Sequence, residues 1–433
     1  MHDGPSPPQR ALRIVFLNWR DTRNPEGGGS EVYVESVARG LADAGHDVTV
    51  FCAAHANAPA EEVRDGVRYR RAGSKLGVYH RGRTLLRRGD LGQPDVVVDV
   101  QNGIPFLAPW ATDAPVVVLV HHVHREQWPV VYDPVRARVG WWLESRLAPW
   151  VFRASRYVAV SAATRDELVG VGVPAAAIAV VHNGSEDVPD VGVPRADHPR
   201  ILVLGRLVPH KRVEHVLRAA AVLRHRVPDL RVAVVGDGWW ADELAAEARR
   251  LGVDDLVQFT GFVDEDRKHA ELARAWVLAL PSLKEGWGLV VMEAARHGVP
   301  SVAYRDAGGV AEAIVDGETG ILVDGDEDAY AAALGRLLTD HALRERMGAR
   351  AAERAREFSW QTTADRFAEV LAQALTDGPG HRRRVIGRIP VGRVRPAHLH
   401  HSDEADPHVD PSGSEEPAGH GSERAGSSGR DSA

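Results

Sequence analysis

The chain has 433 residues, 44% of them apolar, and a formal net charge of −7, which describes a globular protein with room for two cored domains and excludes recognition of nucleic acid by bulk charge. One cysteine, Cys52, rules out an intramolecular disulfide framework, and no apolar run approaches the ~20 residues that cross a bilayer. The polar, proline-containing residues 1–11 read as a disordered start without the apolar core of a secretion signal, so the sequence places the chain in the cytoplasm.

From residue 12, strand-like apolar runs alternate with helix-like segments, the pattern of a doubly wound α/β domain. The first set is 12–17, 47–52, 67–71, 96–100, 116–120, 157–160 and 178–181, which gives a domain over 12–188. After its first strand, Gly27-Gly28-Gly29-Ser30-Glu31 leads into the helical pattern from Val32 to Leu41. Its glycines can turn backbone N–H groups toward a phosphate or an acceptor hydroxyl, and ordinary turn chemistry also accounts for them. Arg64, Arg68, Arg70, Arg71, Lys75, Arg81, Arg83, Arg87 and Arg88 follow, opposed mainly by Asp65. They read either as a face for an anionic membrane leaflet or acidic acceptor, or as a solvated strand edge and helix face. Trp141, Trp142 and Trp150 add interfacial anchors or belong to the core. His121 closes the run 116–120, and strand alternation sends His122 and His124 to the opposite face, so the three do not converge on a metal ion.

Residues 189–200 hold Pro189, Pro194 and Pro199 and read as an interdomain linker. A second α/β domain, 201–357, has its runs at 201–204, 232–235, 257–259, 277–280, 301–304 and 320–323. Its first run ends in Gly205-Arg206-Leu207-Val208-Pro209-His210-Lys211-Arg212. A short strand-to-helix turn brings the guanidinium of Arg206 and the ammonium of Lys211 to the carboxyl ends of the strands, where open parallel sheets bind ligands. Lysine is scarce here: Lys75, Lys211, Lys268 and Lys284 are the only four. In Pro281-Ser282-Leu283-Lys284-Glu285-Gly286-Trp287-Gly288-Leu289, glycines turn the chain from a strand into a helix that carries Glu293. The helix start at Gly288 to Val290 suits a diphosphate, Glu293 one turn further in suits a ribose, and Glu285 projects toward whatever lies beyond the phosphates. Residues 358–376 read as a terminal helix. From 377 to 433 an arginine-rich run and then an acidic, Ser-, Gly- and His-containing stretch read as a disordered tail, with His398, His400 and His401 as low-complexity residues rather than a metal site.

Taken together, these motifs resemble the retaining family-4 glycosyltransferases of the GT-B fold across most of residues 12–376. The resemblance rests on the glycine loop, His121, Arg206 with Lys211, Val235-Gly236-Asp237-Gly238, Thr260-Gly261-Phe262-Val263, and Glu285 with seven residues before Glu293. Trp287 stands where the family usually has Phe. The resemblance implies two Rossmann-like parallel-sheet domains facing a cleft, with helix 358–376 crossing back onto the first. It implies catalytic roles for His121, Arg206, Lys211 and Glu285, with His122 as the alternative to His121. It also implies a donor site formed by Gly28, Gly29, Arg206, Lys211, Gly236, Asp237, Gly238, Phe262, Val263, Glu285, Gly286, Trp287, Gly288, Leu289 and Glu293.

The activity so implied is transfer of a hexosyl unit from a nucleotide diphosphate sugar to a hydroxyl acceptor, with a lipid-linked acceptor and peripheral contact with the inner face of the membrane among the partners. The front-face scheme proposed for the family uses the diphosphate both as leaving group and as acceptor of the proton, so no metal or other cofactor is expected where two cations and a helix dipole meet the charge. A sugar phosphorylase or nucleotide-sugar epimerase on the same architecture, and a catalytically silent sugar-binding protein, are the alternatives.

Overall fold

The computed structural model describes residues 10–189 and 191–386. Two open sheets follow one another along the chain. The first contains β1 (Arg13–Leu17), β2 (Asp47–Cys52), β3 (Glu61–Arg64), β4 (Val67–Arg71), β5 (Val96–Gln101), β6 (Val116–Val120), β7 (Arg156–Ala159) and β8 (Ile178–Val180), in the order β3-β4-β2-β1-β5-β6-β7-β8. The second contains β9 (Arg200–Leu204), β10 (Arg231–Val235), β11 (Val257–Gly261), β12 (Val277–Leu280), β13 (Ser301–Tyr304) and β14 (Gly320–Val323), ordered β11-β10-β9-β12-β13-β14. Central strands such as β5 and β6 are valine-rich and buried along their whole length, as parallel strands covered on both faces must be.

One edge departs from the all-parallel pattern. Glu61–Arg64 pairs antiparallel with Val67–Arg71 across Asp65 and Gly66, whose φ angles of 50° and 74° make the left-handed turn that joins twisted hairpin strands. This hairpin also changes the reading of the arginine-rich stretch. Arg64 pairs with Glu35, Arg68 with Asp47 at 3.5 Å, Arg70 with Glu61 at 3.3 Å, Arg71 with both Asp21 and Glu62 at 2.6 Å, and Lys75 with Glu26 at 2.7 Å. Asp65 is thus not their main counterion: carboxylates distant in sequence neutralise the strand half of the stretch. Arg81, Arg87 and Arg88 remain exposed on the helix Gly77–Arg88.

Two crossings join the domains side by side. The chain leaves the first domain past His182–Ser185 and returns at Phe358–Trp360, where the Ser185 amide donates to the Phe358 carbonyl at 3.1 Å. A Cβ on Gly184 would lie 2.3 Å from the Trp360 nitrogen. The returning helix Trp360–Ile386 then packs against the helix Gly29–Asp43, with Phe367 against Phe16 and Tyr33. Residues 377–386, assigned to the tail from sequence, are helical; the rest of the tail, with His398, His400 and His401, lies outside the described residues, as do 1–9.

Candidate active site

In each sheet the strand order reverses beside the first strand, between β1 and β5 and between β9 and β12. The carboxyl ends of strands at such a reversal are where open parallel sheets bind ligands. In the second sheet the loops leaving those strands carry Arg206 after β9 and Glu285 after β12. The Leu283 amide donates to the His210 carbonyl at 2.8 Å, tying the two loops together.

Lys211 Nζ donates to Glu285 Oε1 at 2.5 Å and Ser282 Oγ donates to the same oxygen at 2.7 Å. Burial alone would raise the Glu285 pKa, but the adjacent Lys211 ammonium and the Ser282 hydroxyl outweigh it and hold the carboxyl below its ordinary value. Arg212, next to Lys211, has φ of 50° although it is not glycine, a strained conformation that turns the chain abruptly into the helix Val213–Leu223. Arg206 is exposed. The protein walls around it lower its pKa, as does the like charge of Arg20 in the first domain, with Glu31, Glu26 and Glu285 acting in the opposite sense. Arg20 itself is buried and paired with Glu31 at 3.1 Å and Glu26 at 3.7 Å.

Close approaches of backbone explain the glycines. A Cβ on Gly286 would lie 2.3 Å from the His121 carbonyl oxygen, one on Gly28 3.6 Å from Arg206 Nε, and one on Gly29 3.0 Å from Leu289 Cδ1. The glycine loop and His121 of the first domain therefore meet Arg206 and the loop after β12 of the second. The loop is held by Glu31, which is fully buried: it accepts from the Gly28 amide at 2.7 Å and Ser30 Oγ at 2.9 Å and pairs with Arg20 at 3.1 Å. Gly236 and Gly238 have another reason to be glycine, since a Cβ on each would lie 2.0 and 2.1 Å from the carbonyls of Gly205 and Leu207. They let the loop after β10 pack against the segment carrying Arg206. Asp237 is exposed and caps the Gly238 amide at 2.7 Å.

His121 packs edge-on against Tyr33 at 5.3 Å, and burial, reinforced by His124, lowers its pKa to about 3, so it is neutral throughout the physiological range. Its Nε2 is buried and has no hydrogen-bond partner among the described residues, and the same is true of His210 Nδ1. His122 and His124 stack on each other at 4.1 Å. His124 is fixed by the buried Glu144, which accepts from its Nδ1 at 2.9 Å, its amide at 3.1 Å and Trp128 Nε1 at 2.8 Å. Gly288, with φ of 87°, starts the helix Leu289–Arg296, and Glu293 on that helix pairs with Lys268 at 2.9 Å. Phe262 projects from the loop after β11 and is 84% exposed, with Val263 beside it. Trp287 is buried against His182 at 4.3 Å and Phe358 at 5.2 Å, so its ring belongs to the packing behind the loop after β12.

The sequence reading missed the residues that join the two halves. Lys284 pairs with Glu167 of the first domain, and Glu167 also accepts from the Val123 amide at 3.3 Å. Glu312 accepts from the Ala162 and Ala163 amides, each at 2.9 Å, and from His182 Nε2 at 3.2 Å, so a carboxylate of the second domain caps a helix of the first. Local sequence carries no sign of such long-range pairs, although the scarcity of lysine marks Lys284.

A glycosyl transferases group 1 model matches residues 186–354 and a Glycosyltransferase Family 4 model matches residues 27–187. The D-inositol 3-phosphate glycosyltransferase of Streptomyces griseus subsp. griseus is 32% identical over 443 residues, an alignment spanning 88% of this chain and 92% of that protein. This chain belongs to the family-4 glycosyltransferases. Sucrose-phosphate synthase from Thermosynechococcus elongatus superposes with a TM-score of 0.69 at 19% identity, over 85% of this chain and 100% of that one. HepE from Anabaena, in complex with UDP and glucose, gives 0.64 at 20% identity, over 84% and 100%. With its two sheets, this glycosyltransferase has the GT-B fold.

Proposed function

We propose that this enzyme is a retaining hexosyltransferase that moves a sugar from a nucleotide diphosphate sugar to a hydroxyl acceptor. The observation that carries the reading is the gathering of Arg206, Lys211 and Glu285 at the switch point of the second sheet, against Gly28 and the unpartnered Nε2 of His121 in the first. The named ligands of HepE, UDP and glucose, and the named acceptor class of the Streptomyces griseus relative, an inositol phosphate, agree with it.

In this reading the diphosphate lies between Arg206, Lys211 and the amides at Leu289 and Val290, and its arrival draws Lys211 away from Glu285. Glu285 then accepts from sugar hydroxyls, and His121 Nε2 meets another. Glu293 takes the ribose in place of Lys268, and Phe262 offers its exposed ring to the base. As the bond from C1 to the phosphate oxygen breaks, negative charge grows where the cations already stand. The acceptor oxygen bonds to C1 on the same face and its proton passes to the departing phosphate oxygen. Neutralisation by protein groups leaves no step that calls for a metal or another cofactor.

A panel of nucleotide diphosphate sugars screened by thermal shift, followed by release of nucleoside diphosphate with and without polyol, glycan and lipid-linked acceptors, tests the class. A ligand present at 100 times its Kd stabilises by about 2.7 kcal/mol. Product whose anomeric proton matches the donor's configuration supports retention; inversion, or nucleotide release independent of acceptor, overturns the proposal.

A further inference from the structure

One surface of the first domain has no counterpart in this chemistry. Pro134–Trp142, the π-helical turn Leu143–Leu147 and Ala148–Val151 follow one another without a break. At about 100° per residue, Ala137, Gly140, Glu144, Ala148 and Val151 share one face, and all five are buried. Gly140 lies so close to Trp128 that a Cβ there would come within 2.5 Å of the ring. The core accounts for that face.

The opposite face carries a second apolar stripe. Val135, Val139, Trp142 and Trp150 fall on it at spacings of four, seven and fifteen residues, and each is 54–67% exposed. Val130, Val131 and Tyr132, just ahead of the helix, are exposed as well. Arg136, Arg138 and Arg146 stand exposed along the stripe, with Arg125 before it and Arg153 after it. Asp133 is the acid at the helix start, where it caps the Val135 and Arg136 amides at 3.1 Å and pairs with Arg136. A soluble monomer rarely leaves aromatic and aliphatic side chains in a line about 22 Å long, the length of fifteen helical residues.

We infer that this helix lies flat on an anionic bilayer, with Trp142, Trp150 and the valines in the headgroup boundary and the arginines on lipid phosphates. Tryptophan and tyrosine favour that boundary, and flanking cations of one sign complement an anionic leaflet. A second copy is the poorer occupant, because stacking the face on itself about a twofold axis sets the arginines against one another. Glu144, on the inner side of the same helix, holds His124 and Trp128, so the surface and the loop after β6 form one piece. The docking itself does not depend on the donor assignment.

The test is co-sedimentation of the full chain with phosphatidylcholine vesicles and with vesicles in which phosphatidylglycerol replaces part of the lipid, at low and high salt, with size-exclusion light scattering in parallel. Binding to the anionic vesicles alone, weakened by salt, is expected. Trp142→Ser with Trp150→Ser is expected to weaken it at least about tenfold, and Arg136→Ser with Arg138→Ser and Arg146→Ser to abolish the preference for anionic lipid, with unfolding temperatures unchanged. No binding at low salt overturns the inference. So does binding lost only when Arg81, Arg87 and Arg88 become Ser, or an oligomer in solution that the tryptophan variant dissolves.

Discussion

Replacing Lys211 with Met removes the cation 2.5 Å from a carboxylate that stays in place. The two side chains are 21% and 14% exposed, so solvent screens them weakly. In the wild type the Glu285 pKa lies below its unfolded value. Its contribution to stability is therefore present above about pH 4.3 and is lost as pH falls through the folded pKa. In Lys211→Met burial dominates and the Glu285 pKa rises, so the folded state holds a proton that the unfolded state has released at neutral pH, and stability now falls as pH rises. Breaking a buried pair from one side costs 3–5 kcal/mol; about 3 kcal/mol is expected at pH 8, since Ser282 still donates and Arg206 remains nearby, with a much smaller gap near pH 4.5. Urea unfolding of wild type, Lys211→Met, and Lys211→Met with Glu285→Gln at both pH values measures this. The double variant should recover most of the loss at pH 8. A gap independent of pH, or a double variant no better than the single one, refutes the account of a buried carboxylate held by Lys211.

Arg206→Ala should lower kcat/KM by about 2–4 kcal/mol through the chemical step, and a folded variant with full turnover in the coupled nucleotide-release assay would show that it meets no developing charge. Glu293→Gln should weaken free nucleoside diphosphate more than Glu285→Gln does in calorimetry, and the reverse order would exchange their roles. Gly286→Ala places a methyl 2.3 Å from the His121 carbonyl, so activity should collapse in a folded variant, and full turnover would show that the two loops do not need this close approach. Arg212→Gly should raise stability by up to about 1–2 kcal/mol in urea unfolding, because glycine adopts φ near 50° without strain.

Periodicity and turn chemistry made the two α/β domains legible, because Val-rich runs ending at Gly or Pro leave little choice of element. Asp65-Gly66 carried the signal for the hairpin at the edge, and reading it would have paired Glu61 and Glu62 with Arg70 and Arg71. Position after a strand placed Arg206, Lys211 and Glu285 beyond β9 and β12, where the strand order reverses. Partnership did not follow from position. That Lys268 faces Glu293, or that Glu144 fixes His124 from 20 residues away, depends on how helices roll over the sheet, which local sequence does not encode. Trp287 shows the converse: its place in the motif pointed to the ligand, but the ring turned to fill the space between His182 and Phe358.

The paired crossings at Gly184 and Trp360 tie the two halves of the enzyme at one place, and a second tie lies away from them, where Lys284 pairs with Glu167 at 12% and 24% exposure and Glu312 accepts from the Ala162 and Ala163 amides, little screened by water. A pair of dyes placed across the two halves would report any change in their separation, and a methyl forced into the crossing at Gly184, 2.3 Å from the Trp360 nitrogen, would perturb it without touching a substrate.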